Sequence, residues 1–277
     1  MSEASSRWFA DDPVEVGRQL SSASDVELAA VIAESAGEIL YRLRQEKPTT
    51  PNKESLRELR DLADRVSHDY LMATLGAARP LDAILSEEGS DDLARLANDR
   101  TWIVDPLDGT NEYGLGRWDF AVHVALWQRG ELALGVVAMP SRDLVLRSDG
   151  EFSSLKPKVA GEPWRLVVSR TRPPANLAEV LEAVKTRTSR PMEILDVGSV
   201  GAKVGEIIAG RADAYVHTTG FYEWDVAAPA AVARAAGLHV SHVDGSQLSL
   251  NQENPKVSNL LVARPELAKV LLDLDIA

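Results

Sequence analysis

The segment Asp105-Pro106-Leu107-Asp108-Gly109-Thr110 places two carboxylates three residues apart across a proline. Pro106 stiffens the backbone between them, so a turn can aim both side chains at one point. The Leu107 carbonyl lies between them and offers a further oxygen. Gly109 lets a ligand approach the backbone closely. Thr110 and Asn111 predict the start of a helix, whose free N–H groups attract an anion. Hard oxygen donors beside an anion-binding helix start are what Mg2+ together with a phosphate requires. Asp-Pro and Asp-Gly are also common turn dipeptides, and it is the six-residue combination that distinguishes this segment.

Two other segments set acids beside a turn. Ser86-Glu87-Glu88-Gly89 follows the apolar run 83–85, and Glu223-Trp224-Asp225 opens an alanine-rich stretch. Acids at strand ends and helix starts lie on the rim of a layered fold, where ligand clefts form. Among the histidines, His68 stands four residues after Asp64 in a helical pattern and could pair with it. His123 alternates within a strand and reads as a packed residue. The six tryptophans read as core or edge residues, with Trp224 beside a candidate ligand and so able to shape the cleft.

These residues need elements to hold them. Leu28, Ile32, Ile39 and Leu43 recur at helical spacing, with Ser24 and Asp25 available as caps. Glu46–Pro51 breaks that helix. A second helical pattern runs through Leu56, Leu59, Val66, Tyr70 and Leu75 and ends near Gly76. A short strand, 102–104, leads into Asp105. Segments 120–127 and 132–139, joined through Arg129-Gly130, predict an antiparallel hairpin. The second half alternates: strands at 166–168, 192–196, 212–217, 238–240 and 260–263, and helices at 176–185, 199–209, 225–236 and 265–274. This reads as an α+β N-terminal part and an α/β C-terminal part. Residues 148–163 are polar and rich in Gly, Ser and Pro, which sets the expected divisions: a loosely attached polar arm over 1–23, an α+β metal-binding domain over 24–150, and an α/β substrate domain over 151–277.

Composition limits the partners. The chain has 277 residues, with 30 Lys plus Arg against 42 Asp plus Glu, a net charge of −12. That argues against a nucleic-acid polymer as partner, which calls for a basic face. It leaves room for a small anion, since a site can carry its own cations. Without cysteine there is no thiolate nucleophile, disulfide or Cys-ligated metal. No run approaches the ~20 apolar residues of a membrane span, and the first residues lack the basic and apolar regions of a signal peptide. The expectation is a soluble, cytoplasmic protein.

Glu87-Glu88, the Asp105–Thr110 string and Trp224-Asp225-x-Ala-Ala together resemble, in order and spacing, the three signatures of the inositol monophosphatase superfamily, over roughly residues 25–275. The resemblance implies a five-layer αβαβα sandwich and a Mg2+-dependent, Li+-inhibited phosphomonoesterase with two, or with Glu88 three, metal ions. By position it implies that Glu87, Asp105 and the Leu107 carbonyl hold the first metal, and that Asp105, Asp108 and Asp225 hold the second. Thr110 and Asp64, with Glu87, would activate the attacking water, and the N–H groups of Gly109 and Thr110 would seat the phosphate. The Asp64 transfer departs from the family pattern, which has Thr three residues earlier where this chain has Asp61.

Within the superfamily the chain is similar to the 3′-phosphoadenosine-5′-phosphate phosphatases of the CysQ type. Ser169-Arg170-Thr171-Arg172 matches their Ser-Arg-Ser/Thr tract, and Gly198-Ser199-x-Gly-Ala-Lys203 resembles their Gly-Ser-Ser-x-Lys segment. His217 stands where the simple inositol phosphatases carry a glutamate. A second phosphate calls for extra cations, which Arg170, Arg172 and Lys203 could supply. The resemblance therefore implies a small phosphorylated substrate, and it is compatible with a homodimer. Inositol 1-phosphate and fructose 1,6-bisphosphate are alternative substrates, and a metal-dependent binding protein on the same fold is the non-enzyme alternative. The covalent aspartyl-phosphate enzymes use Asp-x-Asp-x-Thr, and the two residues between Asp105 and Asp108 do not match that spacing.

Overall fold

The computed structural model describes residues 3–47, 52–152, 158–159 and 161–276. Residues 3–22 are not the loose arm their polar composition suggests. They carry α1 (Glu3–Ser6) and α2 (Pro13–Gln19), the second capped by the Asp12 side chain, which accepts from the Val14 N–H. Trp8 is buried, and Gly17 lies so close to the fourth helix that a Cβ would come within 2.4 Å of the Thr74 carbonyl. Phe9 and Leu20 pack against the same core, Phe9 with its ring 5.6 Å from that of Tyr70.

The long helices follow their patterns. α3 (Asp25–Glu46) is capped by Ser24, whose Oγ accepts from the Glu27 N–H at 3.3 Å, and it buries Leu28, Ile32, Ile39 and Leu43. It ends at the predicted break, of which residues 48–51 lie outside the described residues. α4 (Lys53–Ala78) is capped by Asn52 and runs two residues past Gly76.

β1 (Ala83–Ser86), β2 (Arg100–Asp108), β3 (Ala121–Gln128), β4 (Glu131–Met139) and β5 (Leu144–Arg147) form one sheet in that spatial order, with α5 (Thr110–Gly114) between β2 and β3. β1 is parallel to β2 and the other pairs are antiparallel. The β3–β4 hairpin turns on Arg129 and Gly130, both with positive φ (50° and 91°), which suits the twist of the two strands. β2 does not stop at Asp105. Its pairing with β3 slips between Asp105 and Asp108, a bulge that takes up Pro106, which has no N–H to give the ladder.

The second half supplies β6 (Trp164–Val168), α6 (Leu177–Thr188), β7 (Met192–Asp196), α7 (Val200–Ile208), β8 (Ala214–His217), β9 (Phe221–Tyr222), α8 (Glu223–Ala235), β10 (His239–Ser241), β11 (Lys256–Val257), β12 (Leu260–Ala263) and α9 (Pro265–Leu271). Its sheet has the order β10-β12-β8-β6-β7, and β9 pairs with β11 in a small ribbon.

Strand alternation builds the layers. Trp102, Val104, Val122, Val124 and Val136 face α3 and α4 in one core. Ile103, Ala125 and Val137 face the opposite way, joining α7, α8, Tyr215, Leu260 and Val262 in a second. Val216, Leu261 and Leu166 face α6 and α9 in a third. The order is helix, sheet, helix, sheet, helix: the five-layer αβαβα sandwich. Gly135 brings α8 against the first sheet, since a Cβ there would lie 2.7 Å from the Ala228 carbonyl. The division expected after residue 150 falls between the sheets, whose facing sides share the middle core. Residues 153–157 and 160 of that boundary lie outside the described residues. Among the described residues, no helix is long and apolar enough to cross a membrane.

Candidate active site

The bulge at the end of β2 aims Asp105 and Asp108 at the first turn of α8, where Asp225 waits. One carboxylate oxygen from each of the three lies within 4.8 Å of the others. Asp105 is buried; its Oδ1 accepts from the Leu107 N–H at 3.0 Å, while Oδ2 is buried with no hydrogen-bond partner among the described residues. Asp108 is anchored through Oδ2 alone, which accepts from Ser199 Oγ (2.6 Å) and the Gly201 N–H (2.9 Å) and lies 3.1 Å from His123 Nε2. Asp225 Oδ2 accepts from the Tyr222 N–H at 2.7 Å, which carries the helix back to Glu223, two residues before the expected start. Glu223 is itself a strut: its carboxylate accepts from the N–H groups of Asn251 (2.6 Å) and Gln252 (2.8 Å).

Crowding of like charge away from water disfavours ionisation. Burial and the facing charge of Glu87 hold Asp105 well above the usual carboxylate range. Burial and Asp108 raise Asp225 to about 6. Glu87 keeps exposed surface at the rim, yet burial on its inner side and Asp225 raise it to about 7. Burial would raise Asp108 too, but His123, Ser199 and the Gly201 N–H outweigh it and hold that carboxylate low. An orphaned buried carboxylate oxygen and a set of mutually repelling oxygen donors fit a hard divalent cation, whose charge removes the repulsion.

Across the bulge, Ser67 of α4 donates its hydroxyl to the Pro106 carbonyl at 2.7 Å and so ties the helix to β2. This sets Asp64, one turn earlier, beside Thr110, whose Oγ1 lies 3.0 Å from the Leu107 carbonyl and 3.4 Å from Asp64 Oδ1. Burial, then Glu88 and Glu87, raise Asp64 to about 8, against the hydrogen bond from Thr110. His68 does not pair with Asp64; its Nδ1 lies 3.1 Å from Ser86 Oγ. Gly109 takes φ +90° at the start of α5, and a Cβ there would lie 3.0 Å from the Asp119 carbonyl. Glycine is required there by both conformation and space.

A cleft of about 390 Å3 opens beside these acids, lined by Gly109, Thr110, Ser169, Arg172, Lys203 and His217, among others. The candidate cations differ in what they are free to do. Arg170, expected to meet a substrate phosphate, points its guanidinium at three carboxylates: Asp196 (2.8 Å), Glu112 (2.6 Å) and Asp119 (3.1 Å). It acts as a clamp joining β6 and β7 to α5 and β3. Lys203 is buried, its ammonium on the carbonyls of Gly198 and Ser199 and over the Tyr215 ring, and burial lowers it to about 8. Among the described residues, Arg172 hydrogen-bonds only the Gly220 carbonyl, at 3.4 Å, and the exposed residue lines the cleft. His217 is buried beside Phe221, ring centroids 4.3 Å apart; burial lowers it to about 4, so it faces the cleft as neutral imidazole.

Sequence reasoning missed Asp119 and the anchoring role of Ser199. Asp119 is fully buried; it accepts from the Gly198 N–H (2.6 Å) through its side chain and from the Ser199 N–H (3.2 Å) through its carbonyl. Its one sequence signal is an acid directly before the apolar entry to a strand.

Residues 22–274 match the inositol monophosphatase family. The chain is 44% identical over 248 residues to a 3′-phosphoadenosine 5′-phosphate phosphatase of Mycobacterium bovis, covering 86% of this chain and 88% of that one. It is 41% identical over 260 residues to the protein of the same name from Mycobacterium leprae, covering 90% and 92%. Its structure is similar to that of CysQ from Bacteroides thetaiotaomicron, a bacterial member of the inositol monophosphatase family, with a TM-score of 0.68 at 27% identity over 87% of this chain and 97% of that one. The signatures, the layers and the gathered acids agree with these matches, and the chain belongs to the inositol monophosphatase family.

Proposed function

We propose that this protein is a phosphatase that hydrolyses 3′-phosphoadenosine 5′-phosphate to AMP and phosphate. The observation that carries the proposal is the meeting of Asp105, Asp108 and Asp225, with the Thr110–Asp64 pair, beside a cleft that Arg172 also lines. The identity to the mycobacterial phosphatases supports the nucleotide as substrate.

Glu87, Asp105, the Leu107 carbonyl, Asp108 and Asp225 would hold the metal ions. When bound, a divalent metal lowers the pKa of a water and draws charge from the phosphoryl oxygens. The protein's own groups do the rest. The Thr110 hydroxyl donates to Asp64 and is free to accept a hydrogen bond from the attacking water. Asp64, with its raised proton affinity, suits a group that receives a proton. The N–H groups of Gly109 and Thr110 face the phosphoryl group. Arg172 reads the second phosphate as a full charge, the buried Lys203 adds positive charge behind the same wall, and Ser169 lines it. Arg170 supports that wall through its carboxylates rather than meeting the substrate. His217 offers no negative charge, which suits an anionic nucleotide better than a neutral polyol. The same reading takes Mg2+ as the ion, Li+ as an inhibitor, the cytoplasm as the location and a homodimer as the assembly, each by family resemblance.

The test compares kcat/KM for 3′-phosphoadenosine 5′-phosphate, inositol 1-phosphate and fructose 1,6-bisphosphate with Mg2+ at saturation. The expected result is a preference for the nucleotide above about tenfold, ~1.4 kcal/mol of transition-state discrimination. A smaller preference refutes the substrate assignment, and absence of phosphate release from all three refutes the enzyme.

A further inference from the structure

β3 turns Ala121, His123 and Ala125 toward the middle helices and Val122 and Val124 toward α3 and α4. The two alanines leave room for α7 and α8. The histidine between them is fully buried. Its Nε2 lies 3.1 Å from Asp108 Oδ2, and its Nδ1 lies 3.3 Å from the Trp224 carbonyl, which belongs to the peptide bond leading into Asp225. One imidazole therefore spans the end of β2 and the first turn of α8, and touches the support of two acids 117 positions apart in sequence.

Its neighbours make a slot for it. A Cβ at Gly201 would stand 2.4 Å from His123 Nε2 and 2.7 Å from Val137 Cγ1, so only glycine leaves space for the ring. The Gly201 N–H donates to the same Asp108 oxygen that faces the imidazole. Ser199 Oγ, the Gly201 N–H and His123 thus crowd Oδ2 of Asp108 and leave Oδ1 as the oxygen free to bind. A packed aromatic or aliphatic residue would fill this volume equally well and would contact neither polar group.

We propose that His123 is a positioning residue: it fixes Asp108 and the start of α8 so that Oδ1 of Asp108 and the carboxylate of Asp225 converge on one divalent cation. The inference rests on the metal-site reading above. Groups that orient metal ligands change metal affinity by about 10–100-fold when removed.

Isothermal titration of Mn2+ into the metal-stripped protein tests it, with no substrate present. Wild type is compared with His123→Leu, which removes both nitrogens at similar volume, and His123→Asn, which keeps one amide donor. The expected result is a Mn2+ affinity about 10–100-fold weaker for the leucine variant and less weakened for the asparagine variant. At saturating Mg2+ the substrate KM stays within about threefold of wild type in both. A leucine variant that binds Mn2+ within twofold of wild type overturns the proposal, as does an equal loss in the two variants. If the leucine variant shows no cooperative melt, the asparagine variant decides: a loss above twofold supports the positioning role, and a smaller one overturns it. Wild type that binds no Mn2+ overturns the metal-site reading as well, which separates the two failures.

Discussion

Asp225→Asn should stabilise the metal-free protein and abolish its stabilisation by metal. Asp225 has an ordinary carboxyl at 3.8 in the unfolded chain and about 6 in the folded one, raised by burial and by Asp108. At ~1.36 kcal/mol for each tenfold change in proton affinity, the charged form costs the fold ~3 kcal/mol. The native state binds the proton more tightly, so stability falls as pH rises between 3.8 and about 6, and the whole cost is present above that. Asparagine removes the charge and keeps an oxygen to accept from the Tyr222 N–H. Neighbouring acids share the relief, so the net gain at pH 8 is ~1.5–3 kcal/mol, and near pH 4 it vanishes. At ~2–4 °C per kcal/mol for a chain of this size, Tm in EDTA should rise by ~3–12 °C at pH 8. A ligand at 100 times its Kd adds ~2.7 kcal/mol to wild type, and the variant, lacking one ligand, should gain little. The order of the two melting temperatures therefore converges or reverses on adding Mg2+. Calorimetry in EDTA and in Mg2+ at pH 4.5 and 8 measures all of this. If the variant melts no higher than wild type at pH 8 in EDTA, or keeps the full gain with Mg2+, the repulsion argument for this cluster is wrong.

Thr110→Val removes the hydroxyl between Leu107 and Asp64 while keeping the shape, and should lower kcat by ~10²–10⁴-fold; stopped-flow phosphate release reads it, and a Tm within a few degrees of wild type shows the fold is intact. Arg172→Ala should raise KM for the bisphosphate by about 10–150-fold, the worth of a charge-assisted hydrogen bond of ~1.5–3 kcal/mol, and should leave Tm unchanged. Arg170→Ala should lower Tm, because it leaves Glu112 without its cation and takes from Asp119 one of two guanidinium partners, the other being Arg117; equal effects of the two arginine variants on KM and Tm would merge roles that the geometry separates. Arg95→Ala removes a buried guanidinium that joins Asp91, Asn251 and the Gln252 carbonyl and should cost ~1–3 kcal/mol, chiefly by leaving the Asn251 oxygen and the Gln252 carbonyl unpaired, a fall of about 2–12 °C by differential scanning fluorimetry.

The acidic string at 105–110 was legible because its chemistry is local. Asp105, Leu107 and Asp108 sit within one bulge and Thr110 opens the helix that follows, and a proline and a glycine at set positions announce the turn. Asp225 was legible as an acid at a helix start, though the start itself lies at Glu223, because Asp225 caps the chain behind it. What stayed hidden are partners fixed by the third dimension. Arg170 reads as a free cation in sequence, and only the fold, which brings Asp196 of β7, Glu112 of α5 and Asp119 ahead of β3 to the segment after β6, shows three carboxylates around it. His123 reads as one more residue of a strand. Alternation puts it on the face of Ala121, yet nothing local says that Asp108 lies beneath that face, because the bulge that places it there depends on pairing between two strands. Trp8, Phe9, Gly17 and Leu20 dock the N-terminal segment at spacings that do not repeat with a helical period.

The corner Gly198-Ser199 joins the two ends of the cleft. Asp119 holds both of its N–H groups and is itself held by Arg170. Lys203 closes onto both of its carbonyls from the substrate wall. Ser199 Oγ caps α7 by accepting from the Ala202 N–H at 2.9 Å while donating to Asp108 at 2.6 Å. On the proposed reading, the wall that would meet the distal part of a substrate and the Asp108 carboxylate therefore hang from the same two peptide units. A displacement of the wall moves Asp108 with it, so binding energy gained far from the reacting phosphate can be expressed at the reacting phosphate. On this geometry, loss of Lys203 or Asp119 lowers kcat together with affinity, whereas loss of Arg172, which hangs from no part of that corner, changes affinity alone.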